Sequence, residues 1–264
     1  MMFLISSVNY ISCRFTGEKN NALDGSPVPV TLYYANTKDI LGEYQLMRKY
    51  ISVDEQIRAD KLHFQDDRTT WLFCHVLIRC VIAQKLDKDP SEIIITIDKN
   101  NKPWLTGDRL FFNISHTREA FSFAISDKRN IGVDLENIDR KVDFRSIIKT
   151  FFSSGEIKFI LDDPNLARER FFLLWTRKEA LLKAVGTGII EKLQDIEVFR
   201  DENILKRGSF DNFIDNRFFC DYFIYSIQMM NNFMSVAVPC KAKIIMHHLD
   251  AQNVNALLQD KTYR

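Results

Sequence analysis

Two long apolar stretches at helical spacing frame the chain. Residues 69–86 carry Trp71, Leu72, His75, Leu77, Ile78, Val81 and Ile82 on one broad face, which predicts a helix buried between other elements. Residues 166–185 repeat that pattern and run into Gly186 and Gly188, the residue type that most readily closes a helix in the left-handed conformation. Shorter apolar or alternating runs read as strands at 30–35, 92–98, 110–114, 121–125, 131–135, 191–199, 221–228 and 233–238. Further helices are expected over 39–50 and 143–152. Ser52 with Glu55, and Ser153 with Glu156, stand at capping-box spacing and predict two more helix starts. The runs 121–125 and 131–135 flank Asp127, Lys128, Arg129 and Asn130, so they read as a hairpin or a closely spaced strand pair.

The order of elements echoes itself: strand, helix, long apolar helix and two strands occur twice. This predicts an α+β fold of two similar α/β halves related by a pseudo-twofold, with the active site in the cleft between them. The N-terminal half is residues 1–126 and the C-terminal half 127–240. Residues 241–264 read as a peripheral C-terminal tail in which His247 and His248 have no chemical role. Residues 1–11 are apolar but lack a basic start; they read as a buried strand or a loose extension, not a targeting signal.

Composition narrows the class. Of 264 residues, 46% are hydrophobic and 27% charged, and 36 basic against 35 acidic side chains leave a net charge of +1. That balance argues against a general electrostatic nucleic-acid binder. No run approaches the ~18 apolar residues of a membrane-spanning helix. The five cysteines (Cys13, Cys74, Cys80, Cys220 and Cys240) are scattered with no C-x-x-C pair. They read as reduced thiols of a cytoplasmic protein rather than as a disulfide framework or a zinc site.

The candidate chemistry sits where the two halves join. In the alternating run 131–136, Asp134 and Glu136 point to the same side of a strand. Paired carboxylates raise each other's pKa unless a cation intervenes, and hard oxygen ligands of this kind suit Mg²⁺. A bare D-x-E is also what a solvated strand end presents, so its neighbours decide. Asn113, Ser115 and His116 lie just ahead, where a strand ends. Glu179 and Lys183 are four apart and share a helix face, with Trp175 one turn earlier. Alone they would be an ordinary surface pair. Three carboxylates with Lys178, Lys183 and His116 suit phosphoryl transfer, in which a metal neutralises a diphosphate and cations stabilise the leaving oxygen. His75 reads as a hydrogen-bonded core histidine, and Lys102, in the turn before Pro103, as an exposed lysine.

Lys102-Pro103, Phe112-Asn113-Ile114-Ser115-His116, Ile131-Gly132-Val133-Asp134-Leu135-Glu136, Phe151-Phe152-Ser153 with Glu156, and Trp175-x-x-Lys178-Glu179-Ala180-x-x-Lys183 occur in that order. Asp67-Arg68 and Leu77-Ile78-Arg79 form a looser match ahead of them. Over most of residues 58–190 the chain thereby resembles the 4′-phosphopantetheinyl transferases of the Sfp type. The resemblance implies Mg²⁺-dependent transfer of 4′-phosphopantetheine from coenzyme A to a serine of an apo acyl or peptidyl carrier protein, releasing adenosine 3′,5′-bisphosphate. It places Asp134, Glu136 and Glu179 on the metal, and Lys178, Lys183 and His116 on the diphosphate. Lys102, Arg58 and Arg68 would lie near the adenosine and its 3′-phosphate, with Pro103 and Ser115 in the same coenzyme-binding set. Lys183, Glu136 and Glu179 would be catalytic, the base being Glu179, Glu136 or a water at the metal. The carrier would dock on Arg140, Lys141, Arg145, Lys149 and the Phe151-Phe152 pair.

The chain departs from the family pattern at Asn101, where a glycine is frequent, and before Val30 and after Val238, where no counterpart is evident. Two alternatives remain: a metal-dependent nuclease or phosphodiesterase, and a non-catalytic coenzyme A-binding protein. Nucleases with these residues place acid and lysine on adjacent strand positions, whereas Glu179 and Lys183 are predicted on a helix. The expectation is a monomeric cytoplasmic transferase with neither a nucleic-acid nor a membrane partner.

Overall fold

Alternation along the strands sorts them into two sheets that share an inner core. The computed structural model describes residues 9–10, 27–39, 50–98, 100, 102–107, 109–127, 131–186, 188, 193–199, 204–205 and 222–259. The first sheet runs, edge to edge, through β1 (Asn9–Tyr10), β11 (Ala242–His248), β2 (Val28–Asn36), β6 (Ala120–Ser126) and β5 (Phe111–His116). β11 is parallel to β1 and β2, and β6 is antiparallel to β2 and β5. The second sheet is antiparallel, in the order β7 (Gly132–Asn137), β10 (Asn232–Val238), β9 (Tyr222–Met229) and β8 (Ile204–Leu205). A two-stranded ribbon, β3 (Ile95–Ile97) with β4 (Pro103–Leu105), completes the strands described.

Side chains two apart face the same way, and the core follows from that rule. Val30, Leu32 and Tyr34 of β2 meet Val133 and Leu135 of β7 and Met234 and Val236 of β10 between the sheets. The intervening Tyr33 and Ala35 pack with α2 (Gln65–Leu86), whose Phe73, Leu77 and Val81 are buried against the outer face of the first sheet. α5 (Ala167–Val185) covers the outer face of the second sheet through Phe171, Leu174, Leu181 and Val185. The layer order is helix, sheet, sheet, helix.

The local signals are borne out. Ser52 caps α1 (Val53–Asp60) by accepting the Glu55 N–H, and the Glu55 carboxylate accepts the Ser52 N–H in return. Ser153 and Glu156 do the same for α4 (Ser154–Leu161), which follows α3 (Phe144–Phe151). Gly186 ends α5 at φ 79°, where a Cβ would be strained.

Three long-range expectations fail. Of the hairpin or closely spaced pair expected at 121–125 and 131–135, the hairpin does not form: β6 stays in the first sheet, while β7 crosses to pair with β10, although the two strands remain close neighbours. Residues 193–199 contain a 3-10 turn and no strand. The C-terminal segment is not peripheral, because β11 lies inside the first sheet and Leu249, Val254 and Leu257 of the following helix are buried in the first core. The helix expected over 39–50 falls almost wholly outside the described residues. Cys74 and Cys80 are buried and Cys240 half-buried, none of the three in a disulfide, and no helix among the described residues is long and apolar enough to cross a membrane.

Candidate functional site

β5 and β7 are edge strands of different sheets, yet side chains stitch them together. Asn113 Oδ1 accepts the Val133 N–H at 2.9 Å, and Ser115 Oγ accepts the Leu135 N–H at 3.1 Å. Two polar side chains two apart on one strand thus take over the work of a missing backbone ladder. Ser115 Oγ also donates to Asp134 Oδ1 at 3.0 Å and accepts from Lys183 Nζ at 2.9 Å. Lys183 Nζ lies 2.7 Å from the same Asp134 oxygen. One hydroxyl therefore positions the acid of β7 and the lysine of α5 together. Ser115→Ala would leave a buried N–H without a partner and is expected to cost about 1–3 kcal/mol. A lowered urea midpoint would be the readout, and an unchanged midpoint would contradict this arrangement.

Asp134 and Glu136 share the α5 side of β7, as their spacing predicted. Glu179 is close enough to both to be perturbed by them: its carboxyl is raised to about 7, first by burial and then by Asp134 and Glu136, against the pull of Lys183. Asp134 Oδ2 and Glu179 Oε1 are buried and have no hydrogen-bond partner. Such orphaned oxygens are rare and costly. Together they fit a hard divalent cation.

Glu136 has a partner of its own. Its two oxygens take a guanidinium nitrogen of Arg140 at 2.7 and 2.9 Å, while burial still pushes its pKa up. The three carboxylates expected from the sequence lie close enough to perturb one another, but no group of three His, Cys, Asp or Glu side chains among the described residues is arranged to hold a metal ion. Arg140 holds Glu136, and Lys183 holds one oxygen of Asp134.

Beside this cluster opens a cleft of about 1300 Å³. Leu62, Phe64 and Trp71 give its lining an apolar part, and His116, Glu136 and Arg140 a polar one. The protein packed around His116, and then the Lys183 ammonium, lower its pKa. The apolar part was missed in the sequence. Phe64, an aromatic between two helices, is 71% exposed, and its place in a polar, basic connection was the signal available.

Other predicted coenzyme contacts lie elsewhere. Lys178 of α5 is fully buried, its Nζ donating to Glu156 at 2.9 Å and to the Leu193 and Ile196 carbonyls. An ammonium has three N–H donors, so none remains for a diphosphate, and burial lowers its pKa despite Glu156. Lys102 is not exposed either. Its Nζ donates to the carbonyls of Lys183, Ala184 and Ile131 at 2.6, 3.0 and 3.3 Å, and burial lowers its pKa to about 8.

Arg68 donates to the Leu62 carbonyl at 3.0 Å and lies 3.9 Å from Asp60, holding the α1–α2 connection. Arg58 is exposed on α1; neither arginine lines the cleft. Pro103 opens β4 opposite Ile97. His75 is the core histidine expected, with Nδ1 3.3 Å from Glu55 and the ring stacked on Trp71 at 3.7 Å. Burial pushes the Glu55 carboxyl up, but His75, Arg79 and the Ser52 N–H outweigh it and hold it at about 2.

Two family models match adjacent stretches of the chain. Residues 38–131 match the family model described as 4′-phosphopantetheinyl transferase, N-terminal, and residues 130–233 match that of the 4′-phosphopantetheinyl transferase superfamily. The chain is 34% identical over 154 residues to 4′-phosphopantetheinyl transferase HetI of Nostoc sp., a match over 56% of this chain and 64% of that relative. A putative 4′-phosphopantetheinyl transferase of Synechocystis sp. is 28% identical, over 68% of this chain and 73% of its own length. 4′-Phosphopantetheinyl transferase Sfp of Bacillus subtilis is 28% identical, over 59% of this chain and 69% of its own length.

Proposed function

We propose, on the premise that the chain belongs to the 4′-phosphopantetheinyl transferase superfamily, that it moves 4′-phosphopantetheine from coenzyme A to a carrier-protein serine. The observation that carries this reading is the cluster of Asp134, Glu179 and Lys183 beside the inter-half cleft, with two orphaned carboxylate oxygens and Glu179 raised to about 7. The presence of an N-terminal and a C-terminal half in one chain supports the Sfp type and a pseudo-twofold relation between the halves. Cys74, Cys80 and Cys240, none in a disulfide, fit a cytoplasmic enzyme, which we take to act as a monomer.

In this mechanism the carrier serine oxygen attacks the phosphorus that bears the pantetheine arm. A new oxygen–phosphorus bond forms, and the bond to the adenosine 3′,5′-bisphosphate oxygen breaks. Asp134 and Glu179 would hold the magnesium ion, which when bound neutralises charge on the diphosphate. Glu179 is our candidate to take the serine proton. Lys183, about 30% exposed and fixed by Ser115 and Asp134, offers positive charge to the departing oxygen. His116 and Arg140 face the same cleft and can engage phosphate oxygens. A nuclease is less well supported, since Glu179 and Lys183 lie on a helix and the net charge is only +1.

The test is incubation with coenzyme A, Mg²⁺ and several apo carrier proteins, following intact carrier mass. A pantetheine-sized gain that requires Mg²⁺ and vanishes in Asp134→Ala is the expected result. Coenzyme A binding without any gain would favour a binding protein; no binding at all would overturn the reading.

A further inference from the structure

The turn between β3 and β4 belongs to the first half, yet it reaches the far end of α5. Asp98 Oδ1 shapes the turn by accepting the N–H groups of Asn100 and Lys102 at 2.8 and 2.9 Å. Asn100 Nδ2 then donates to the Gly186 carbonyl at 2.6 Å. Lys102 Nζ donates to the carbonyls of Lys183 and Ala184, in the last turn of α5, and to Ile131, which leads into β7. The last carbonyls of a helix have no partner within it, and a cation there is favoured by the helix dipole. This cation meets that need from the other half of the molecule. All three of its N–H donors are occupied, so the ammonium has none to offer a phosphate.

We propose that Lys102, assisted by Asn100, is a positioning residue: it locks the C-terminal turn of α5 to the start of β7, so that Lys183 and Glu179 meet Asp134 in register. The same contact ties the two halves on the side where the cleft residues must stay aligned. The approach does not itself require glycine at 186, since an added Cβ would stand 3.7 Å from Lys102 Cδ, in ordinary contact; only the φ of +79° there favours it. The catalytic part of the inference rests on the transferase reading; the structural part does not.

Lys102→Met keeps most of the length of the side chain and removes the donors, and Asn100→Ala removes only the contact to Gly186. Hydrogen exchange of the full chain is the first measurement. Amides in 131–134 and 182–186 are expected to exchange about tenfold faster in Lys102→Met, while the centre of α2 keeps its protection. The second measurement is transfer to an apo carrier with coenzyme A and Mg²⁺. Here kcat is expected to fall by roughly tenfold or more with KM for coenzyme A within about twofold, the pattern of a displaced catalytic group rather than a lost ligand.

A raised KM with kcat retained would make Lys102 a coenzyme ligand and overturn the proposal, as would unchanged exchange at the α5 end. If Lys102→Met does not fold, Asn100→Ala decides, with faster exchange confined to the same turn as the expected result. If the wild-type protein transfers nothing, the transferase reading fails while the exchange measurement still decides the clamp.

Discussion

Glu179→Gln is expected to reduce transfer by about 10²–10⁴-fold, the usual range for losing a positioned acid–base group, and yet to make the metal-free protein more stable at pH 8. The carboxyl is raised from 4.5 to about 7 in the folded chain, so the folded state holds this proton more tightly than the unfolded state. Below about pH 4.5 both states are protonated and the group costs nothing. As pH rises from 4.5 to 7 the unfolded chain releases the proton first, and stability falls. At about 1.4 kcal/mol per pKa unit, the loss above pH 7 is at most on the order of 3 kcal/mol. Glutamine removes the charge and with it this loss. Urea unfolding in a chelator should therefore show the variant more stable at pH 8 and equal to wild type at pH 4.5. Equal stability at both pH values would contradict the buried, proton-holding carboxyl, and retained turnover would show that Glu179 is not the base.

Gly132→Ala is expected to be the most destabilising single methyl addition in the described chain. A Cβ there would lie 2.0 Å from the Ala180 carbonyl oxygen and 2.3 Å from the Ala184 nitrogen. Both are backbone atoms of α5, so no rotamer change can relieve the overlap. Strand and helix must separate, and overpacking of this kind costs about 3 kcal/mol or more. For a chain of this length that corresponds to a fall in Tm of roughly 6–12 °C. The same displacement would carry Glu179 and Lys183 away from Asp134, so turnover should drop even in the fraction that stays folded. At Gly107, by contrast, no atom lies within 4 Å of an added Cβ and only its φ of +86° resists substitution. Alanine there should lower Tm far less; equal effects at the two glycines would show that close packing of β7 on α5 is not what position 132 demands.

What could be read in the sequence was what is decided locally. Capping boxes at Ser52 and Ser153 depend on residues three apart, and both formed. The strand period put Asp134 and Glu136 on one face, and the helix period put Glu179 and Lys183 on another; the fold brings those faces together. Lys178 shows the limit of motif reasoning. It is adjacent to Glu179, and neighbours on a helix point in different directions, so it turns into the second core while Lys183 reaches Asp134. Lys102 was misread for a different reason: two of its three partners are carbonyls some eighty positions along the chain, and backbone carbonyls have no residue signature. Pairing of β7 with β10 rather than β6 is equally non-local, because both candidate strands are apolar enough to satisfy either sheet.

The place of β11 bears on how the protein is made. This strand enters between β1 and β2, setting Ile244 against Val30, so the first sheet is finished by a strand synthesised after the whole of the second sheet. Until then β2 has an open edge, the kind of surface that recruits other chains, and contacts of such long sequence separation form slowly. The N-terminal half therefore cannot mature ahead of the C-terminal one, although it is synthesised first. The two halves look like successive units in the sequence, but the nascent chain must complete them together.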